Sequence, residues 1–138
     1  MEGIMTKVLV TGASGYIGLH CIEQLLADGY EVKGSIRSLS RIEEIEDALK
    51  KCGRDIGKLV LCEADLLNPD GWDDAVKGCD YVLHVASPFI VGVPKQEDEL
   101  IRPAVDGTRN VLNAAIKQGV KRVVLTSSVA AITDTHDG

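Results

Sequence analysis

Five short β-branched runs punctuate the chain, at Lys7–Thr11, Glu31–Ile36, Lys58–Cys62, Tyr81–Val85 and Arg122–Thr126. Most are apolar at consecutive positions instead of alternating with polar ones. Strands buried on both faces have this pattern, and parallel sheets covered by helices supply such strands. The stretches between them have helical spacing. Gly15–Asp28 places Ile17, Cys21, Ile22, Leu25 and Leu26 on one stripe, and Gly29 stops it. Ser40–Cys52 repeats Ile42, Ile45 and Leu49, with Ser40 and Glu43 spaced as a capping box and Gly53 at the end. Pro69–Lys77 is predicted as a short helix with Asn68 as cap and Pro69 at its first position. Gln96–Gln118 is the longest, and a kink or break is expected at Pro103. Strand and helix alternate throughout, which predicts an α/β fold: a doubly wound parallel sheet of five strands with right-handed crossovers.

Composition narrows the function classes. The chain has 138 residues, about one domain. Aromatics are only 4%, so the core must be aliphatic. A net charge of −6 argues against a nucleic-acid partner. It leaves room for one basic pocket that takes a phosphate. No run approaches the roughly 20 apolar residues of a membrane span, and no signal peptide is evident. Cys21, Cys52, Cys62 and Cys79 match no zinc or CxxC spacing. Free thiols and a cytoplasmic location are expected.

The densest chemistry is the turn Thr11-Gly12-Ala13-Ser14-Gly15-Tyr16-Ile17-Gly18, between the first strand and the first helix. Gly12 permits the tight turn, Gly15 lets backbone approach a pyrophosphate, and Gly18 lets helix and strand pack closely. The helix start then offers unpaired N–H groups to phosphates. A glycine turn alone is weak evidence. Here strand, turn and helix all fall where a Rossmann-type site needs them. Where an NAD enzyme of this fold ends its second strand with an acid, this chain reads Ser35-Ile36-Arg37-Ser38. Arg37 is either a solvated side chain before a helix or a fork for a 2′-phosphate. After the glycine turn the second reading is preferred, which makes NADP(H) the expected cofactor, with Arg41 as a possible second ligand.

The spacing G-x-x-G-x-x-G resembles the extended short-chain dehydrogenase/reductase family, and other segments match it in order. These are Ala64-Asp65-Leu66, Asp80–Pro88, Val105–Leu112 with its Gly107-Thr108 pair and Asn110, and Arg122–Ser128. The wording His84-Val85-Ala86-Ser87-Pro88 is most similar to the dihydroflavonol reductase and cinnamoyl-CoA reductase branch. Nucleotide-sugar epimerases share the glycine turn but look less similar there. The resemblance implies a reductase acting on a small-molecule carbonyl or alcohol. It implies that Asp65 accepts from the adenine amino group, Leu66 lines the adenine pocket, and Val85, Ala86 and Ser87 pass close to the dinucleotide. Asp65 is otherwise a turn aspartate. Ser128 matches the serine that binds the substrate oxygen, with Ser127 as its near alternative, although both also simply end a strand.

The family's Tyr-x-x-x-Lys pair is absent. Tyr16, Tyr30 and Tyr81 are followed four residues on by His20, Gly34 and Val85. The expectation is therefore an NAD(P)-binding domain over residues 1–138 that is truncated on its C-terminal side. It would lack later strands and a substrate domain, bind cofactor and be inactive alone. A short NADP(H) sensor is the alternative. The long helix is also expected to leave an apolar face that favours a homodimer or self-association. His84 reads as a core or near-core histidine, His20 as solvated or packed, and His136 as idle. Trp72 reads as packing on the sheet, away from any site.

Overall fold

In the computed structural model, which describes residues 3–88 and 92–133, the apolar runs form one five-stranded sheet. The strands are β1 Lys7–Thr11, β2 Glu31–Ile36, β3 Leu59–Glu63, β4 Tyr81–His84 and β5 Arg122–Leu125. Their order is β3-β2-β1-β4-β5 and every pairing is parallel. The order reverses between β1 and β4, so the chain leaves β1 toward one side and enters β4 on the other. Ligands of such sheets bind at that switch point, beyond the carboxyl ends of the strands. His136 lies outside the described residues.

Helices α1 Tyr16–Ala27 and α2 Ile42–Lys51 cover one face; α3 Trp72–Val76 and α4 Asp98–Lys117 cover the other. The two cores are separate because successive strand side chains point to opposite faces. Val10, Ala13, Ile22, Val32, Ile45 and Leu49 pack on the first side. Leu9, Trp72, Val76, Val82, Val111 and Ala115 pack on the second. A four-residue helix, α5 Ala130–Thr133, follows β5.

Several predicted boundaries shift, each for a local reason. The capping box at Ser40 and Glu43 does not form. A 3-10 turn occupies Leu39–Arg41, Ser38 caps it by accepting from the Ser40 amide, and α2 begins only at Ile42. The third helix starts at Trp72 instead of Pro69, because Asn68 spends its side-chain oxygen on the Asp70 amide. Gly71 then turns the chain in a left-handed conformation, at φ 88°. Helix α4 runs unbroken through Pro103, so the expected break is absent. Its apolar stripe, Gly107, Val111, Ala114 and Ala115, is buried along the later turns and holds the axis there.

Candidate active site: a dinucleotide cavity at the switch point

A cavity of about 570 Å³ opens at the carboxyl edge of the sheet, beyond β1, β2, β3 and β4. All twelve residues expected to touch a cofactor lie on its wall. Gly12, Ser14, Gly15, Tyr16, Ile17 and Gly18 come from the turn after β1, and Arg37 from the end of β2. Asp65 and Leu66 come from the loop after β3, and Val85, Ala86 and Ser87 from the segment after β4. Ser128 does not line it. That serine is exposed beyond β5 on the same edge, and its Oγ accepts from the Ala130 amide at 3.2 Å. An oxygen that accepts there keeps its own proton free to donate.

The glycine turn is shaped by contacts that exclude any side chain. A Cβ on Gly18 would lie 2.1 Å from the Gly12 carbonyl oxygen, so helix and turn touch backbone to backbone. Gly12 sits at φ 73°, a region that disfavours L side chains, and a Cβ there would also meet Ala86 Cβ at 3.0 Å. The Ala13 amide donates to the Ser35 carbonyl at 2.9 Å, which ties the turn to β2. The positive end of α1 is left uncompensated. Its N-cap, Gly15, has no side-chain acceptor, and its first turn holds no acid. By contrast α2, α3 and α4 each carry two acids in their first turns. An unneutralised helix start facing a cavity is suited to an anion.

The two arginines after β2 have separate fates. Arg41 forms a two-pronged pair with Glu44, at 2.9 Å from Nε and 2.8 Å from the other nitrogen. That pair raises Arg41 above its ordinary pKa and lowers Glu44 below its own, and Arg41 is not among the residues that line the cavity. Arg37 lines the cavity, is exposed, and has no hydrogen-bond or ion-pair partner among the described residues.

The loop after β3 is clamped from two helices. Trp72, 1% exposed, donates its indole N–H to the Asp65 carbonyl at 3.0 Å and itself lines the cavity. Asn110 Nδ2 donates to the Leu66 carbonyl at 2.8 Å, and a Cβ on Gly107 would lie 3.0 Å from Leu66 Cβ. Asp65 spends one carboxylate oxygen on the Leu67 amide at 3.0 Å, and the other has no partner among the described residues. The reading of Trp72 as packing alone is therefore incomplete. The signal for its second role was its indole N–H, since a buried tryptophan must place that donor somewhere. In the sequence, Asn110 and Gly107 stand out only as part of a motif. His84 is in the core, as expected, and His20 is exposed with its ring edge-on to Tyr16.

A family model matches residues 8–137, nearly the whole chain. The chain belongs to the NAD dependent epimerase/dehydratase family. Within this family it is an extended short-chain dehydrogenase/reductase, and its relatives fall in the reductase branch that the His84–Pro88 segment resembles. It is 39% identical to tetraketide alpha-pyrone reductase 1 of Arabidopsis thaliana, over 99% of this chain and 42% of the relative. It is 44% identical to cinnamoyl-CoA reductase CAD2 of Medicago truncatula, over 91% of this chain and 38% of the relative. Among solved structures it is similar to the yeast methylglyoxal/isovaleraldehyde reductase Gre2 complexed with NADPH. That match has TM-score 0.79 and 35% identity, and covers 91% of this chain and 38% of the other. The chain thus spans about two fifths of the length of these family members. Among the described residues, no helix is long and apolar enough to cross a membrane, and no cluster of His, Cys, Asp and Glu is arranged to hold a metal.

Proposed function

We propose that this chain is the NADP(H)-binding part of a carbonyl reductase, acting on a small aldehyde, ketone or dihydroflavonol-type carbonyl. The observation that carries the reading is Arg37, an unengaged guanidinium on the rim of a cavity whose floor is the uncapped, uncompensated start of α1. Two features favour anions at two points of one cavity, and a dinucleotide with a 2′-phosphate has anions at both. The relatives named above are reductases, and one of the structures is a complex with NADPH.

On this reading Gly12, Ser14, Gly15, Tyr16, Ile17 and Gly18 receive the pyrophosphate through backbone N–H groups and close approach. Arg37 takes the 2′-phosphate. The free oxygen of Asp65 accepts from the adenine amino group, with Leu66 and Trp72 forming the apolar wall beside it. Val85, Ala86 and Ser87 border the path toward the nicotinamide end. When bound, NADPH supplies the hydride. Ser128 holds the carbonyl oxygen through its free proton, from the same edge of the sheet. The sequence contains no Tyr-x-x-x-Lys pair, so residues 1–138 bind cofactor and leave carbonyls unreduced, since a general acid contributes roughly 10²–10⁴-fold.

Calorimetry with NADPH and NADH tests the reading. NADPH is expected to bind tighter by about 10–100-fold, the worth of one charge-assisted phosphate contact. Arg37→Ala should bring the two cofactors level by weakening NADPH alone. Equal affinities in the unaltered chain would overturn the assignment.

A further inference from the structure

The buried pair Thr11 and His84 belongs to neither the phosphate floor nor the adenine clamp. The two residues are direct partners across β1 and β4, at the switch point itself. Thr11 is 0% exposed and His84 2%. Thr11 Oγ1 lies 2.8 Å from His84 Nδ1. The same oxygen accepts from the Val85 amide at 3.1 Å and from the Ala86 amide at 3.0 Å. A hydroxyl has one proton and two lone pairs. Both lone pairs are taken by N–H groups, so the proton must go to Nδ1. Nδ1 is then unprotonated, and the neutral ring carries its hydrogen on Nε2. The opposite tautomer would give Oγ1 three donors and leave its own proton without an acceptor.

This bonding also explains where β4 stops. In an extended strand successive N–H groups point to opposite sides. The Val85 and Ala86 amides converge on a single oxygen, so the chain leaves the sheet at Val85, and the strand ends at His84 instead of at the predicted Val85. That bend sets Ala86 against Gly12, with only 3.0 Å for a Cβ there.

We infer that His84 is a positioning residue for the dinucleotide: by accepting from the Thr11 hydroxyl it aims that oxygen at the Val85 and Ala86 amides and so holds this wall of the cavity in place. The inference rests on the NADP(H)-binding reading for its function, and on the geometry alone for its tautomer. His84 has no part in proton transfer to substrate. Its ring is buried, and burial holds it below the ordinary histidine pKa, which favours the neutral ring.

Nitrogen NMR of the labelled chain reads the tautomer directly. A neutral ring protonated at Nε2 is expected, and a ring protonated at Nδ1 overturns the inference. The second measurement is NADPH affinity and amide exchange in four variants. His84→Leu removes one buried hydrogen bond and is expected to weaken NADPH about tenfold; Thr11→Val removes all three bonds of Oγ1 and is expected to weaken it at least as much, and both should expose the Val85 and Ala86 amides to exchange. Thr11→Ser keeps the hydroxyl and His84→Asn keeps an acceptor near Nδ1, so both should stay within about threefold of the unaltered chain. Equal losses in all four would mean that packing and not the bond matters, and no loss in any would remove the role; either overturns it. Failure of the unaltered chain to bind NADPH would sink the cofactor reading and the functional role with it, while the tautomer and exchange results would still decide the hydrogen-bond arrangement.

Discussion

The two ends of the sheet's carboxyl edge are built very differently. Around β1, β2 and β3 the cavity wall is fixed by bonds between separate elements: Ala13 to Ser35, Trp72 to Asp65, Asn110 to Leu66. Beyond β5 the side chain of the candidate serine has one bond, to an amide two residues away. Val124, Leu125, Val129 and Ile132 around it are 54%, 48%, 72% and 78% exposed, against 0% for Val10 and Ala13. A nucleotide site of this kind is made of backbone shape and helix direction, which a parallel sheet supplies as soon as its strands pair. A carbonyl site needs single side chains held at set distances, and among the described residues the Ser128 side chain is held only by the Ala130 amide.

Breaking the well-built half should produce the largest effect. Gly18→Ala drives a Cβ into the Gly12 carbonyl at 2.1 Å, a backbone atom that cannot swing away. NADPH binding should be lost and stability should fall by about 1–3 kcal/mol, measured by urea unfolding. Ser128→Ala, in the exposed half, should change stability by less than about 0.5 kcal/mol. Comparable losses at both positions would erase the contrast between the two ends.

A milder change probes the clamp. Trp72→Phe keeps most of the apolar bulk and removes the indole donor, leaving the Asp65 carbonyl without its partner. The expected cost is about 1 kcal/mol in stability, with a several-fold loss in NADPH affinity. An unaltered affinity would show that the adenine loop needs no help from α3.

Acid should sharpen the comparison least, and in two windows. Burial lowers the His84 pKa. Above about pH 6.5 the ring is neutral folded and unfolded, so nothing is lost. As pH falls below that value the unfolded chain gains a proton that the folded chain resists, and stability declines. Asp80 acts in the same direction, in a more acidic window. The Lys121 ammonium, and then the Lys7 amide, hold its carboxylate below the usual range. Its contribution persists above about pH 3.9 and is lost only as pH falls through the lower folded value. Unfolding curves against pH should therefore lose their first decline in His84→Asn and their later one in Asp80→Asn.

How much of this was legible in the chain depends on which force decides each feature. The strands and the glycine turn were readable because apolar runs and glycine spacing determine them locally. Arg37 stands out in the sequence because an acid is missing from its place, and the fold puts it on the cavity wall. The errors arise where one polar side chain chooses among nearby amides. Ser38 caps ahead of Ser40, Asn68 holds back the start of α3, and Thr11 pulls Val85 out of β4. The pairing of Arg41 with Glu44, one turn on, shows only in the fold. Trp72 and Asn110 reach the Asp65 loop across 7 and 44 residues, and only the packed fold shows those bonds.

The central claim is that a dinucleotide with a 2′-phosphate sits in this cavity, and Trp72 gives the most direct view of it. It is the single tryptophan in the sequence and it lines the cavity wall. Titration with NADPH while exciting Trp72 should quench its emission saturably, and adenosine 2′,5′-bisphosphate should reverse the effect at far lower concentration than 5′-AMP. No quenching, or equal competition by the two nucleotides, would contradict the account.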